Sequence, residues 1–400
     1  MTAAREGPTS RPSICLAMIV RDEAAVIERC IDSVRGHIDS WVICDTGSVD
    51  GTQDVIRRAL ADLPGELHER EWVDFGHNRS EVMRLARGKA DYLLLLDADW
   101  TVTIEDGALD RLTADAYMVR HSGDFEFHNK RLVKGDRLWR FVGAAHEYIA
   151  SDDPEDVARL DGVVIDHWAD GGARDGRWHR DAELLAADLE RDPTNGRAAF
   201  YLAQTHRDLG ERERAIELYR RRAGMGGWGE EVFWALHQVG VLHADADEWP
   251  QAMDAFVAAW EARPERLESV YELASRLRVR EQYRAAHQFA RVAERLRPLR
   301  VPDDVLFVAP WVYRWGLLFE YSITAYWVGQ PKQGLAACNR LLKLPDLPEV
   351  YREQTKENRE HCLRAIAAEA GRRPPVVRPK KSSSPTVRRD ARRRGTAGAR

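Results

Sequence analysis

The 400-residue chain changes its periodicity once, and that change limits its fold more than any other feature. From residue 13 to about 168, short β-rich runs alternate with amphipathic helical stretches, the pattern of a mostly parallel sheet flanked by helices. Ser13 to Val20, Trp41 to Asp45, Glu66 to Trp72 and Tyr92 to Asp97 read as strands. Ala24 to Val34, Thr52 to Ala61 and Asn78 to Arg87 carry apolar residues at helical spacing. Asp50 stands where it caps the second of these helices, and Gln53 completes a capping-box pattern. From Ala116 onward the runs AYMVRHS, FEFHNKRLV and RLWRFVG predict a more antiparallel second half. Beyond Arg180 the β signal stops and helical periodicity takes over. The expected class is α/β followed by all-α.

Small residues in the helical half recur at a fixed interval. Ala252 and Ala286 are 34 residues apart, and so are Pro264 and Pro298. That is the period of tetratricopeptide helix pairs, which need small residues where two helices approach. Leu202-Ala203, Val239-Gly240 and Leu273-Ala274 recur on the first helices, and Tyr219, Phe256 and Ala290 on the second. The interval from Ala215 to Ala252 is 37, its extra residues falling in the Gly-rich stretch Gly224 to Gly229. A weaker fourth unit runs from Tyr313 to Leu342. The expected division is a disordered N-terminus at 1–12, an α/β domain at 13–170, a helical domain at 171–370 and a basic tail at 371–400.

The formal net charge of −5 conceals that division. Residues 371–400 contain eleven Lys and Arg against Asp390 alone, a disordered tail of +10 on a body of −15. Such a tail suits solubility or contact with an anionic surface. No apolar segment reaches the roughly 18 uncharged residues of a membrane-spanning helix. The N-terminal MTAAREGPTSRPS has no apolar central region, so a secretory signal is not expected. Cys15, Cys30, Cys44, Cys338 and Cys362 form no Cys-x-x-Cys pair and read as reduced core residues of a cytoplasmic protein.

Chemistry concentrates in two segments. Tyr92 to Trp100, YLLLLDADW, is a buried strand that delivers Asp97 and Asp99 at its C-terminal end, the edge where open α/β sheets bind ligands. Carboxylates near a core are costly to desolvate, and a hard divalent cation bridging to a diphosphate accounts for them. The second segment, WVICDTGSVDGT, places Asp45 at the same edge, followed by a tight turn at Gly47 and Ser48 that lets backbone approach a nucleobase or ribose. No Gly-x-Gly-x-x-Gly follows the first strand and no Walker lysine pattern occurs, which disfavours dinucleotide redox chemistry and P-loop hydrolysis.

SICLAMIVRDEAAVIERCIDSV, WVICDTGSVDGT and YLLLLDADW, in this order, resemble the family 2 glycosyltransferases, inverting enzymes of the nucleotide-diphospho-sugar transferase (GT-A) fold. The later FYLAQTHRDLG and RRAGMGGWGEEVFWAL runs resemble the tetratricopeptide extension of some bacterial members. The resemblance implies that Asp45 contacts the nucleobase or ribose, that Asp97 helps hold the nucleoside, and that Asp99 binds Mn2+ or Mg2+. Arg79 corresponds to a basic position near the nucleotide, where a guanidinium forks onto phosphate oxygens or forms a surface ion pair. The usual family turn has two adjacent acids, whereas here Thr46 follows Asp45, which opens the question of nucleotide identity.

The family's Glu-Asp pair on the acceptor side is missing. Glu147 in GAAHEYIA, beside His146, is the candidate catalytic base, with Asp124 and Glu126 as weaker rivals. His167 in VVIDHWADGG is the candidate third metal ligand, oriented by Asp166. Most tryptophans fall at helical packing positions, and Trp100 is the one placed to stack on a sugar. The expected function is sugar transfer from a nucleotide-diphospho-sugar to a glycan, lipid-linked saccharide, protein or peptide. The helical array would supply a surface for a protein partner. Two rival expectations are an interaction scaffold whose first domain is inactive, and a nucleotidyltransferase of similar fold.

Overall fold

The computed structural model describes residues 11–171 and 177–370, so the basic tail at 371–400 and most of the N-terminal 1–12 lie outside the described residues. The described residues divide into two compact units, the boundary falling between Glu211 and Arg212.

The first unit is built on strands β1 (Ile14–Val20), β2 (Ser40–Asp45), β3 (Gly65–Glu69), β4 (Tyr92–Leu95), β5 (Trp100–Ile104), β6 (Ala116–His121), β7 (Phe127–Lys134) and β10 (Val157–His167). They form one eight-stranded sheet in the order β3-β2-β1-β4-β7-β6-β10-β5. The first four are parallel, with Val20 opposite Asp45 in the β1–β2 register. Beyond them β7 runs antiparallel to both β4 and β6, and β10 antiparallel to β5. A separate hairpin pairs β8 (Arg140–Val142) with β9 (Tyr148–Ala150). Because β2 and β4 flank β1, the chain reverses its direction of winding there, and a crevice opens at the carboxyl ends of these strands.

Helix α1 (Ile27–Val34) buries Ile27, Cys30, Ile31 and Val34, one stripe at helical spacing. It begins three residues later than the spacing predicts because residues 22–24 are committed elsewhere. The Asp22, Glu23 and Ala24 amides donate to Ser48 Oγ, Thr52 Oγ1 and Asp50 Oδ2 at 2.8–2.9 Å, stitching the loop after β1 to the loop after β2. Helix α2 (Thr52–Ala59) has Gly51, in left-handed backbone, as its N-cap rather than the expected Asp50, which stands one residue earlier and accepts from the Thr52 amide with Oδ1 at 3.0 Å. Gln53 departs from the capping-box expectation: its amide donates to Ser48 O at 3.1 Å, tightening the turn instead. Helix α3 (Phe75–Ala86) starts ahead of Asn78 because Asp74 caps it, accepting from the His77 amide at 2.7 Å.

Helices α4 (Arg177–Arg191) and α5 (Gly196–Asp208) pack on each other and belong to this first unit, which therefore continues past the expected boundary at residue 170. The core beneath α1 and α2 joins Leu16, Met18, Ile43, Leu94 and Leu96 to Val119 and Ile165.

The second unit is entirely helical: α6 (Arg212–Gly224), α7 (Gly229–Asp245), α8 (Trp249–Ala262), α9 (Glu268–Val279), α10 (Tyr283–Ala290), α11 (Val292–Arg295), α12 (Leu317–Trp327), α13 (Pro331–Leu341) and α14 (Glu349–Ala370). Successive helices pair, α7 with α8, α9 with α10 and α12 with α13. Ala215, Ala252 and Ala286 are wholly buried, as their spacing requires. The extra residues between α6 and α7 wrap a buried charge pair. Arg222 holds Glu231 at 2.8 Å and donates to Gly226 O at 2.7 Å, in a turn where Gly226 and Gly227 both take positive φ. No helix among the described residues is long and apolar enough to cross a membrane. All five cysteines are buried and free.

Candidate active site

Of the six expected residues, Asp45, Arg79, Asp97 and Asp99 come from the parallel strands and α3, Glu147 from the segment between β8 and β9, and His167 from the end of β10. Asp45 ends β2 and is almost wholly buried. Its Oδ1 accepts from the Gly47 and Ser48 amides at 2.9 and 2.8 Å, which the left-handed backbone of Gly47 makes possible. Its Oδ2 is buried and has no hydrogen-bond partner in the protein. A buried carboxylate oxygen without a donor is costly, so it marks a place for a ligand donor. Thr46 explains the departure from two adjacent acids. Its amide and hydroxyl both donate to Val20 O, at 2.9 and 3.0 Å, and an acid at this position would aim its charge at that carbonyl.

Asp97 lies just beyond β4, and its carboxylate is paired with the guanidinium of Arg79 on α3, itself 3% exposed. The other side of that guanidinium faces Glu147, with Nε and Oε1 2.7 Å apart. Neither Nε nor the Glu147 oxygens meet hydrogen-bond geometry, so this contact is an ion pair without an aligned N–H. Burial by itself would favour a neutral Arg79, but the charges of Asp97 and Glu147 outweigh it and raise its pKa. Arg79 is thus not a surface pair; it is buried and cross-links two carboxylates.

Glu147 is carried on the segment between β8 and β9, and its side chain has no solvent exposure. The segment is fixed from several directions. Gly143 O lies 2.4 Å from where a Cβ on Gly76 would stand, so α3 approaches this closely only with glycine there. The Ala144 amide donates to Asp188 on α4 at 3.3 Å, and Arg197 on α5 donates to His146 O at 2.9 Å. His146, at a positive φ of 52°, stacks on Tyr201 with ring centroids 4.2 Å apart. Strained backbone over-determined by its surroundings is characteristic of functional sites. His146, Arg197 and Tyr201 as a group left no signal in the sequence, because α5 reads there as one more amphipathic helix. Of the rival bases, Asp124 is exposed on the β6–β7 hairpin and Glu126 pairs with Arg120 at 2.9 Å.

His167 ends β10 opposite Trp100, and the Trp168 amide donates to Asp99 O at 3.1 Å, so Asp99 and His167 lie on neighbouring strand ends. Asp166 does not orient His167. Consecutive strand residues face opposite sides, and the Asp166 carboxylate accepts from Ser122 instead. The partner of His167 is His121, whose Nδ1 is 2.6 Å from His167 Nε2. His121 is wholly buried against Phe127, at 4.4 Å between ring centroids, and burial, reinforced by His167, lowers its pKa far below the usual imidazole range. Trp100 is 3% exposed, packed against His167 and under the guanidinium of Arg131, so it belongs to the core and is not a sugar platform.

Among the described residues no group of three or more His, Cys, Asp or Glu side chains is arranged to hold a metal ion. Asp99 and His167 stand on neighbouring strand ends, and of the residues named here they are the two whose donor atoms would suit Mn2+ or Mg2+.

Residues 15–114 match the family described as glycosyl transferase family 2. Over 149 residues, 34% of each chain, the protein is 24% identical to the SPbeta prophage-derived glycosyltransferase SunS of Bacillus subtilis. It is 40% identical over 93 residues to a TPR repeat-containing protein of Synechococcus elongatus, covering 23% of this chain and 22% of that one. The chain thus spans about a fifth to a third of the curated relatives it matches. Similar solved structures include MamA (14% identity, 49% of this chain and 93% of that one, TM-score 0.32) and the TPR protein YrrB (17%, 46% and 90%, TM-score 0.34). At those scores the repeat character rests on this chain's own 34-residue spacing and helix pairs. The chain carries a glycosyltransferase domain of family 2, followed by tetratricopeptide-like helices.

Proposed function

We propose that the protein is an inverting, metal-dependent glycosyltransferase that moves a sugar from a nucleotide-diphospho-sugar to a glycan, lipid-linked or protein acceptor. The observation that carries this reading is Asp45 Oδ2, a buried carboxylate oxygen left without a partner at the switch point of a family 2 domain. A ribose hydroxyl or base N–H supplies the missing donor. Asp97 borders the same crevice, its charge fixed by Arg79. Asp99 and His167 would hold Mn2+ or Mg2+, which neutralises charge on the leaving diphosphate. The contact between His121 Nδ1 and His167 Nε2 orients the His167 ring at this end of β10.

In the transfer step the acceptor hydroxyl oxygen bonds to the anomeric carbon, and the bond to the diphosphate breaks with its electron pair. The hydroxyl proton passes to a carboxylate, and Glu147 Oε2, which has no hydrogen-bond partner, is the oxygen we assign. Because that side chain is wholly covered, the role requires the 143–147 segment to shift when substrate binds. The same burial favours a second role for Glu147, as a brace that positions Arg79. Glu147→Gln separates them: a base predicts loss of kcat by about 10²–10⁴-fold with KM little changed, a brace a raised donor KM with kcat largely kept.

Thermal-shift titration of the full chain with nucleotide-diphospho-sugars, with and without Mn2+, tests the whole reading, because a ligand that binds only the native state raises Tm. A metal-dependent shift with at least one donor is expected. No shift with any donor would favour a scaffold, and consumption of a nucleoside triphosphate with pyrophosphate release would favour a nucleotidyltransferase. Mass spectrometry of modified acceptors then identifies the product.

A further inference from the structure

Trp168 is 55% exposed, yet it is one of the most firmly held side chains at the site. Its amide donates to Asp99 O at 3.1 Å and its indole Nε1 to Thr101 Oγ1 at 2.9 Å, which fixes the ring against β5. The guanidinium of Arg29, on α1, lies 4.9 Å from the ring centroid and covers one face. Arg29 is itself locked by a two-pronged pair with Asp170 at 2.8 and 2.6 Å. With one face covered and the N–H satisfied, the exposed part of the residue is the other face and the ring edge.

A scattered exposed aromatic needs no explanation. This one is held by β5 and α1, lies on the Thr101 face of the sheet rather than the His167 face, and is tied to the main chain of Asp99. A rigid aromatic face with its polar handle already satisfied contributes apolar contact at little conformational cost. What it complements is a flat ligand face of C–H groups bordered by hydroxyls, which is one face of a pyranose ring. Arg29 behind the ring holds it in place, so the near face is presented without rearrangement.

We propose that Trp168 is the stacking platform for a pyranose ring beside Asp99, at the edge of the crevice. The proposal rests on the sugar-transfer reading above and goes beyond it by naming the residue that feels the sugar rather than the nucleotide. The ring could belong to the donor or to a saccharide acceptor, and the two are separable.

The experiment compares the full chain with Trp168→Ala and Trp168→Phe in the presence of Mn2+. The probes are free nucleoside diphosphates, the corresponding nucleotide-diphospho-hexoses, and 4-nitrophenyl pyranosides added with a nucleoside diphosphate, followed by calorimetry and saturation-transfer NMR. If the ring is the donor's, Trp168→Ala weakens the nucleotide-hexose about tenfold, leaves the nucleoside diphosphate unchanged, and Trp168→Phe recovers most of the loss. If the ring is the acceptor's, the same pattern appears for the pyranosides with donor affinity unchanged. Nucleotide-hexose and pyranosides that bind Trp168→Ala as well as wild type overturn the platform and leave the sugar-transfer reading standing. Equal weakening of the bare nucleoside diphosphate also overturns it. A wild-type chain that binds neither a nucleotide-hexose nor a pyranoside overturns both.

Discussion

At the scale of single residues, the site is a balance of buried charges. Arg79 answers two carboxylates at once, and removing one partner of a buried pair costs more than the pair itself contributes. Arg79→Met should therefore lower stability by about 3–5 kcal/mol, read from urea unfolding of the full chain. Asp99 is only partly buried, and Asn keeps its shape, so Asp99→Asn should unfold near the wild-type midpoint while transfer falls to background. Wild-type turnover in that variant would remove Asp99 from the metal assignment. The roles of Asp45 and Thr46 separate for a reason of hydrogen bonding: one keeps an oxygen for a ligand, the other spends its hydroxyl on Val20 O. In the sequence they are neighbours of similar size, and the letters alone do not say which way each points.

At the scale of elements, close approach between paired helices sets the tolerances. A methyl group on Gly240 of α7 would lie 2.5 Å from Phe256 Cδ1 on α8, and Phe256 is wholly buried with nowhere to retreat. Gly240→Ala should cost about 1–3 kcal/mol by overpacking, and pairing it with Phe256→Leu should recover part of the loss. Glu248, at the start of α8, joins that helix to Arg212 on α6 and to His243 on α7, at 2.8 and 2.5 Å. Arg212 first, then His243, hold its pKa down to about 2. A carboxylate depressed in the folded state stabilises fully above its ordinary value of 4.5 and loses that contribution as pH falls through about 2. Glu248→Gln should lower Tm slightly near neutrality and flatten the acid limb of Tm across that window. An unchanged acid limb would assign the acid sensitivity to other carboxylates.

At the scale of the whole molecule, the chain divides where contacts thin, after Glu211, rather than where the strands stop. Helices α4 and α5 read as the opening of the helical half, but through Asp188, Arg197 and Tyr201 they hold the segment that carries Glu147. Tyr201→Ala should thus reduce transfer by more than its effect on stability explains, with Tyr201→Phe close to wild type because the stack needs only the ring. Deleting residues 371–400, which lie outside the described residues, should leave turnover on soluble acceptors unchanged; a large loss would place the tail in the active site. Much of the plan was legible in advance. Hydrophobic period separates an α/β half from an all-α half, the 34-residue interval sets the helix pairs, and an apolar run ending in Asp-x-Asp marks the edge where Asp97 and Asp99 emerge. These are properties of order along the chain, and local periodicity and burial fix them. Which side chains meet was decided only by the tertiary structure. His121 reaches His167, Asp166 turns away from it, Trp100 is buried while Trp168 is exposed, and Arg79 is shared between Asp97 and Glu147, because strand register and helix approach join residues that the sequence keeps far apart.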